Sequence, residues 1–191
     1  MKNFLIASFL LMGSLAQAES LFKGQHVYDS VLQTAMYIED INGRTYYVRH
    51  FRGDEMLYPR YADDLSPRVK SAGKISEGMD VSFYNRSTRR WYYDEVKYVF
   101  ANGVAYFDGA LGKYAVGQSY LGIGVSKLPN SNLKAGSTAC TVNRTTHLRK
   151  GGEKGTVVKL YENGSAKMKF KDFFVVPAYE VVPLDNLRVC R

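Results

Sequence analysis

An all-β fold is predicted by three features of this sequence: an aromatic-rich, proline-poor composition, three asparagine-glycine hairpin signals, and glycine-led alternating runs that recur at nearly one period. Fifteen Tyr and ten Phe against five Pro favour pleated, half-buried surfaces over helices. Asn42-Gly43, Asn102-Gly103 and Asn163-Gly164 lie 60 and 61 residues apart, and both residues of such a pair tolerate the positive φ that a tight hairpin demands. The opening runs Gly24-Gln25-His26-Val27, Gly78-Met79-Asp80-Val81 and Gly136-Ser137-Thr138-Ala139 start 54 and 58 residues apart. Landmarks that recur in one order at one period mark a repeat.

Residues 1–18 read as a cleaved signal peptide. Lys2 supplies the positive start, and Phe4 to Leu15 is apolar except at Ser8, Gly13 and Ser14. Ala16-Gln17-Ala18 gives the small-x-small cleavage pattern. The apolar run is shorter than the roughly 20 residues a membrane span needs, and no later segment is apolar enough to cross. The mature chain is therefore expected to begin near Glu19, exported and either periplasmic or secreted. Its formal charge falls from +8 to +7 with the loss of Lys2, which favours anionic partners and also solubility.

Each copy then has a strand, a longer loop, a central hairpin and a tyrosine ahead of a short apolar end: Tyr61 to Val69, Tyr120 to Val125 and Tyr179 to Val189. In the third copy a Glu162-Asn163-Gly164 loop is expected to set Leu160 opposite Ala166, Val158 opposite Met168 and Thr156 opposite Phe170. One face is then apolar and the other mostly polar, as a half-buried antiparallel pair requires. The same rule pairs Phe100 with Val104 and Tyr98 with Tyr106 in the second copy. In the first it pairs Ile38 with Tyr46, Met36 with Val48 and Asp40 with Arg44.

A unit of about 55 residues cannot make a large sandwich but can curl into a small barrel, which removes sheet edges. The opening glycines, the Asn-Gly hairpins and the ends Asp64-Leu65-Ser66-Pro67-Arg68-Val69 and Leu184-Asp185-Asn186-Leu187-Arg188-Val189 resemble Src-homology-3-like and Tudor-like small barrels. The expected organisation is three tandem barrels at 19–70, 71–126 and 134–191. The short polar linkers around Lys70 to Ser76 and Ser126 to Ala135 favour packed modules over a flexible string. Cys140 and Cys190 are the only cysteines. In an oxidising compartment two thiols pair, the alternative being a reactive thiol near His147. The resemblance implies that first and last strands lie side by side, which would make Cys140–Cys190 a staple across the third barrel.

Enzyme signatures fail by spacing. Gly117-Gln118-Ser119-Tyr120-Leu121 begins like a nucleophile elbow, but its second glycine comes one place late at Gly122. Gly151-Gly152-Glu153-Lys154-Gly155-Thr156 has Lys-Gly-Thr where a phosphate loop needs Gly-Lys-Thr. His26, His50 and His147 lack metal-ligand spacing. The pairs Glu39-Asp40, Asp54-Glu55, Asp63-Asp64 and Asp94-Glu95 are chain neighbours that point to opposite faces of a strand. No cofactor pattern is present, and a non-catalytic chain is expected. Asn85-Arg86-Ser87, Asn143-Arg144-Thr145 and Asn163-Gly164-Ser165 match the glycosylation sequon.

The run Arg86-Ser87-Thr88-Arg89-Arg90-Trp91-Tyr92-Tyr93 interleaves cations with the single tryptophan. Arginine forks bind phosphate or carboxylate, and aromatic faces stack on sugars, bases or cations. Arg86, Arg89, Arg90, Trp91 and Tyr92 are the primary candidates, with Arg149 and Lys150 in the equivalent loop of the third copy. The plainer alternative is that Trp91 and Tyr93 fill the barrel. Ligands of Src-homology-3-like and Tudor-like barrels meet aromatics beside this loop, so the resemblance points to the same place. The expected function is binding of an anionic or glycan cell-wall polymer such as peptidoglycan, or else of an envelope protein. Nucleic acid suits an exported chain less well.

Overall fold

The computed structural model describes residues 20–51, 55–109, 112–129, 131–143, 145, 151–171 and 177–190. Residues 1–18 and the candidate residues Arg149 and Lys150 lie outside them. The described chain is all β, with curled sheets and three single-turn 3-10 helices. No helix among the described residues is long and apolar enough to cross a membrane.

One strand order occurs three times. The first set is β1 (His26–Asp29), β2 (Thr34–Asn42), β3 (Thr45–His50) and β4 (Tyr58–Arg60), then a 3-10 turn at Ala62–Asp64 and β5 (Leu65–Val69). A small hairpin, β6 (Ser71–Ala72) and β7 (Ile75–Ser76), leads to the second set. This comprises β8 (Asp80–Asn85), β9 (Arg90–Glu95), β10 (Tyr98–Phe100), β11 (Val104–Gly109) and β12 (Gly112–Gly117), then a turn at Gln118–Tyr120 and β13 (Leu121–Val125). The third is β14 (Thr138–Thr141), β15 (Lys154–Tyr161), β16 (Ser165–Phe170) and β17 (Ala178–Pro183), then a turn at Leu184–Asn186 and β18 (Leu187–Val189).

The repeat extends to register. First and last strands pair antiparallel each time, with Asp29 opposite Leu65, Phe83 opposite Leu121 and Thr141 opposite Leu187. Gly24, Gly78 and Gly136 have φ of 85°, 81° and 87°, a region that costs L side chains energy. Their N–H groups donate to the carbonyls of Ile38, Val96 and Val157 at 2.7, 2.8 and 2.8 Å. The closing landmark that truly matches is the leucine after each 3-10 turn (Leu65, Leu121, Leu187), not the tyrosines, which fall at different places in the three copies.

The expected hairpin registers hold in the second copy and beside the turn of the third. Leu160 faces Ala166 and Tyr98 faces Tyr106. Farther out, Met168 faces Val157 instead of Val158, and Phe170 faces Gly155 instead of Thr156. In the first copy Ile38 faces Val48 and Met36 faces His50, while Asn42 opposite Thr45 leaves a two-residue turn. In the first copy the expected pairing fails at the turn itself, since Asp40 faces Tyr47 and not Arg44, and a bulge follows between Ile38 and Asp40; in the third copy the cause is the bulge between Val157 and Lys159. One extra residue reverses the faces of everything beyond it.

Each set has its own buried core: Val27, Met36, Ile38, Val48 and Leu65 in the first, Val81, Phe83, Val96, Val99, Phe107 and Leu121 in the second, and Ala139, Val157, Leu160, Met168, Phe170 and Val182 in the third. The linkers are not merely polar spacers, because Ile75 and Leu133 are buried in the second and third cores. Cys140 and Cys190 form a disulfide, Cα to Cα 5.1 Å, joining β14 to the end of β18. That loop of 50 residues is worth about 4 kcal/mol in chain entropy.

Adjacent copies share a strand. β5 pairs with both β1 and β10, and β13 pairs with both β8 and β15. The sheet orders are β12-β11-β10-β5-β1-β2-β3-β4 and β17-β16-β15-β13-β8-β9. The second sheet curls until its edge strands β9 and β17 bring Cα atoms within 8 Å of each other.

Candidate functional site

The two edges β9 and β17 flank a groove of about 590 Å³. One wall carries Tyr84, Arg89, Arg90, Trp91, Tyr92 and Tyr93, and the other Tyr179, Val181 and Pro183. The groove thus lies between the second and third copies, which no single barrel would have indicated.

Alternation along β9 decides which rings reach it. Tyr92 packs toward the second core, 5.9 Å from the Phe83 ring centroid. Trp91 and Tyr93 lie on the opposite face, so they do not fill that core. Trp91 sits beside the exposed Tyr84, its cross-strand partner, at 5.5 Å between ring centroids. Tyr93 covers the Lys167 ammonium at 3.7 Å, with the Tyr179 ring 5.9 Å from that same nitrogen. Cation–aromatic contacts this close attract electrostatically.

The turn before β9 is held from both ends. The Asn85 carboxamide oxygen accepts from the Ser87 and Thr88 N–H groups at 2.9 and 3.1 Å, and the Tyr92 hydroxyl donates to Thr88 Oγ1 at 3.0 Å. Arg89 has φ of 54°, a conformation that costs a non-glycine residue about 1–2 kcal/mol. Neither the Arg89 nor the Arg90 guanidinium has an ion-pair or hydrogen-bond partner among the described residues. The nearby carboxylates are engaged: Asp94 accepts from the Tyr114 hydroxyl at 2.8 Å and Glu180 from the Thr145 hydroxyl at 2.7 Å. Two uncommitted guanidinium groups therefore stand beside exposed aromatic faces.

A polar seam lies under the groove. Asp80 accepts from the Tyr161 hydroxyl at 2.8 Å and from Lys167 at 3.3 Å, with Lys159 at 3.6 Å. Ser82 and Ser165 hydroxyls lie 2.9 Å apart, and the Ser165 hydroxyl donates to Asn163 at 2.8 Å. Asn163 Nδ2 donates to the Ser82 carbonyl at 3.1 Å, so this sequon asparagine is committed to the seam. Burial, and then the Asp80 hydrogen bond, push the Tyr161 hydroxyl well above the usual phenol range. Burial first and Asp80 second also raise Tyr93. Both remain protonated, and the Tyr161 hydroxyl donates a hydrogen bond to Asp80.

Of the sequence candidates, Arg89, Arg90, Trp91 and Tyr92 line this groove. Arg86 does not; its guanidinium lies 5.8 Å from the Tyr120 ring centroid instead. Sequence reasoning missed Tyr84, Tyr179 and Pro183. Tyr84 was within reach, because the turn after Asn85 sets it opposite Trp91. The β17 residues arrive only through the sharing of β13, which has no local signature. His26 and His50 sit against aromatic rings, and no group of three His, Cys, Asp or Glu converges among the described residues. Compared with known proteins, the chain matches no family model and shows no significant similarity to a characterised sequence.

Proposed function

We propose that this is an exported, non-catalytic binding protein of the cell envelope, built from three tandem small barrels of the Src-homology-3-like or Tudor-like kind, which holds an anionic or glycan polymer such as peptidoglycan. The observation that carries the reading is the groove wall that sets uncommitted Arg89 and Arg90 beside the rings of Tyr84 and Trp91. Sugar rings stack on such faces, and carboxylates or phosphates take the guanidinium forks. The leader at 1–18 supports the exported half of the reading.

The competing reading is a protein-interaction module, in which the barrels grip a peptide or a subunit of an envelope complex. The approach of β9 and β17 to within 8 Å weighs against one form of it, a partner strand added between those edges, which needs about 9–10 Å. The test is retention of the mature protein on purified cell-wall sacculi across a salt series, beside an envelope extract. Saturable retention that Trp91→Ala weakens at least about tenfold upholds the polymer. Capture of one discrete protein, with no retention on sacculi, replaces it with the interaction module.

A further inference from the structure

Strand sharing creates a second groove at the matching place between the first and second copies. β2 and β12 there correspond to β9 and β17. They correspond by register, since Ile38 and Val96 both receive the N–H of an opening glycine, and β12 and β17 each immediately precede a 3-10 turn. This groove measures about 280 Å³ and is lined by Thr34, Ala35, His50, Phe51, Tyr106, Lys113 and Tyr114.

Like the larger groove, it sets aromatic rings beside a cation. Phe51 and Tyr114 supply half-buried aromatic surface over the buried Tyr106. Tyr114 is fixed by its hydroxyl bond to Asp94 and stacks on Phe107 at 5.0 Å. Phe51 is held edge-on by Tyr106 at 5.4 Å. Lys113 is exposed at the rim and has no ion-pair partner among the described residues, and His50 lines the same groove. Rigid rings beside an uncommitted cation suit a sugar bearing an anion, and His50 adds a hydrogen-bonding group.

We infer that this groove is a second, shorter subsite for the same polymer, so that one long ligand is held at two matching points of the repeat. The inference rests on the polymer reading above. Two linked contacts raise avidity for a long ligand without changing affinity for one too short to reach both.

The experiment compares Lys113→Glu and His50→Gln with Trp91→Ala in the mature protein, using intact sacculi and the disaccharide–peptide released from them by muramidase. Lys113→Glu is expected to weaken sacculus binding about tenfold or more while leaving the fragment affinity of the main groove unchanged, with His50→Gln giving a smaller loss of the same kind. Trp91→Ala weakens both. If Lys113→Glu and His50→Gln leave sacculus binding intact while Trp91→Ala impairs it, the second subsite is wrong and the main groove stands. If the wild-type protein binds neither probe, both readings fall. Circular dichroism and melting of Lys113→Glu, an exposed change, separate lost binding from lost folding.

Discussion

The two contacts between copies share one backbone frame but are filled with different chemistry. His26, Tyr28, Tyr98, Phe100 and Tyr106 in the first occupy the positions of Asp80, Ser82, Lys159, Tyr161 and Lys167 in the second. The first is an aromatic cluster. His26 lies 4.7 Å from Phe51 and 4.9 Å from Tyr98, and Tyr98 stacks on Tyr106 at 5.8 Å. Arg68 covers Tyr98 at 4.1 Å. In the second, glycines replace larger residues on the shared strand, Gly122 for Ser66 and Gly124 for Arg68. They leave room for Asn163 and Lys159. An apolar contact gains by closing up, and its groove is small. A hydrogen-bonded contact is satisfied by a few directional bonds and leaves a wider groove between the same strands.

Breaking the aromatic contact is expected to have the largest effect. Phe100 is fully buried, and Phe100→Ala should cost about 3–5 kcal/mol, read from urea or guanidinium unfolding. A loss below about 1 kcal/mol would mean that the contact does not weld the copies.

Next comes the polar seam. A Cβ on Gly122 would lie 2.2 Å from the Asn163 side chain, so Gly122→Ala must displace Asn163 and strand its partners. About 1–3 kcal/mol is expected. The matching change in the first contact, Ser66→Ala, removes only the hydroxyl that accepts the Asn102 N–H at an exposed turn and should cost less. Equal costs would erase the distinction drawn between the two contacts.

The smallest effect is a pH dependence confined to the aromatic contact. Burial, and then the Arg68 guanidinium, hold His26 below its ordinary value of 6.5. The folded contact therefore favours neutral imidazole. Its contribution is complete above pH 6.5 and is lost as pH falls through the lower folded value. Glu77, held below the usual carboxylate range by its Arg68 hydrogen bonds, titrates beneath that window. The melting temperature should decline on acidification from neutral pH toward about pH 5, and His26→Gln should flatten this decline. An unchanged decline in that variant would place the titrating group elsewhere.

Fold class, repeat order and the disulfide were legible because each leaves a local or periodic mark: Asn-Gly at the turns, a glycine before each first strand, two cysteines on first and last strands. Register was not. The extra residue after Ile38 and Val157 looks like any other strand residue, and it reverses the faces on which the pairings of Val158 and Thr156 were reasoned. Half of the site was legible for a similar reason. Arg89, Arg90 and Trp91 are contiguous, whereas Tyr179 and Pro183 reach them only because β13 pairs with both β8 and β15.

The central claim is that the polar contact, not the aromatic one, forms the main binding groove. Trp91 is the only tryptophan, so its emission reports on that groove alone. Titrating the mature protein with muramidase-released cell-wall fragments should give a saturable change in Trp91 emission. Arg89→Gly should weaken this binding while keeping or raising stability, since it removes a left-handed non-glycine residue. Saturable binding detected by calorimetry with no change in Trp91 emission would contradict the account and move the site out of the groove.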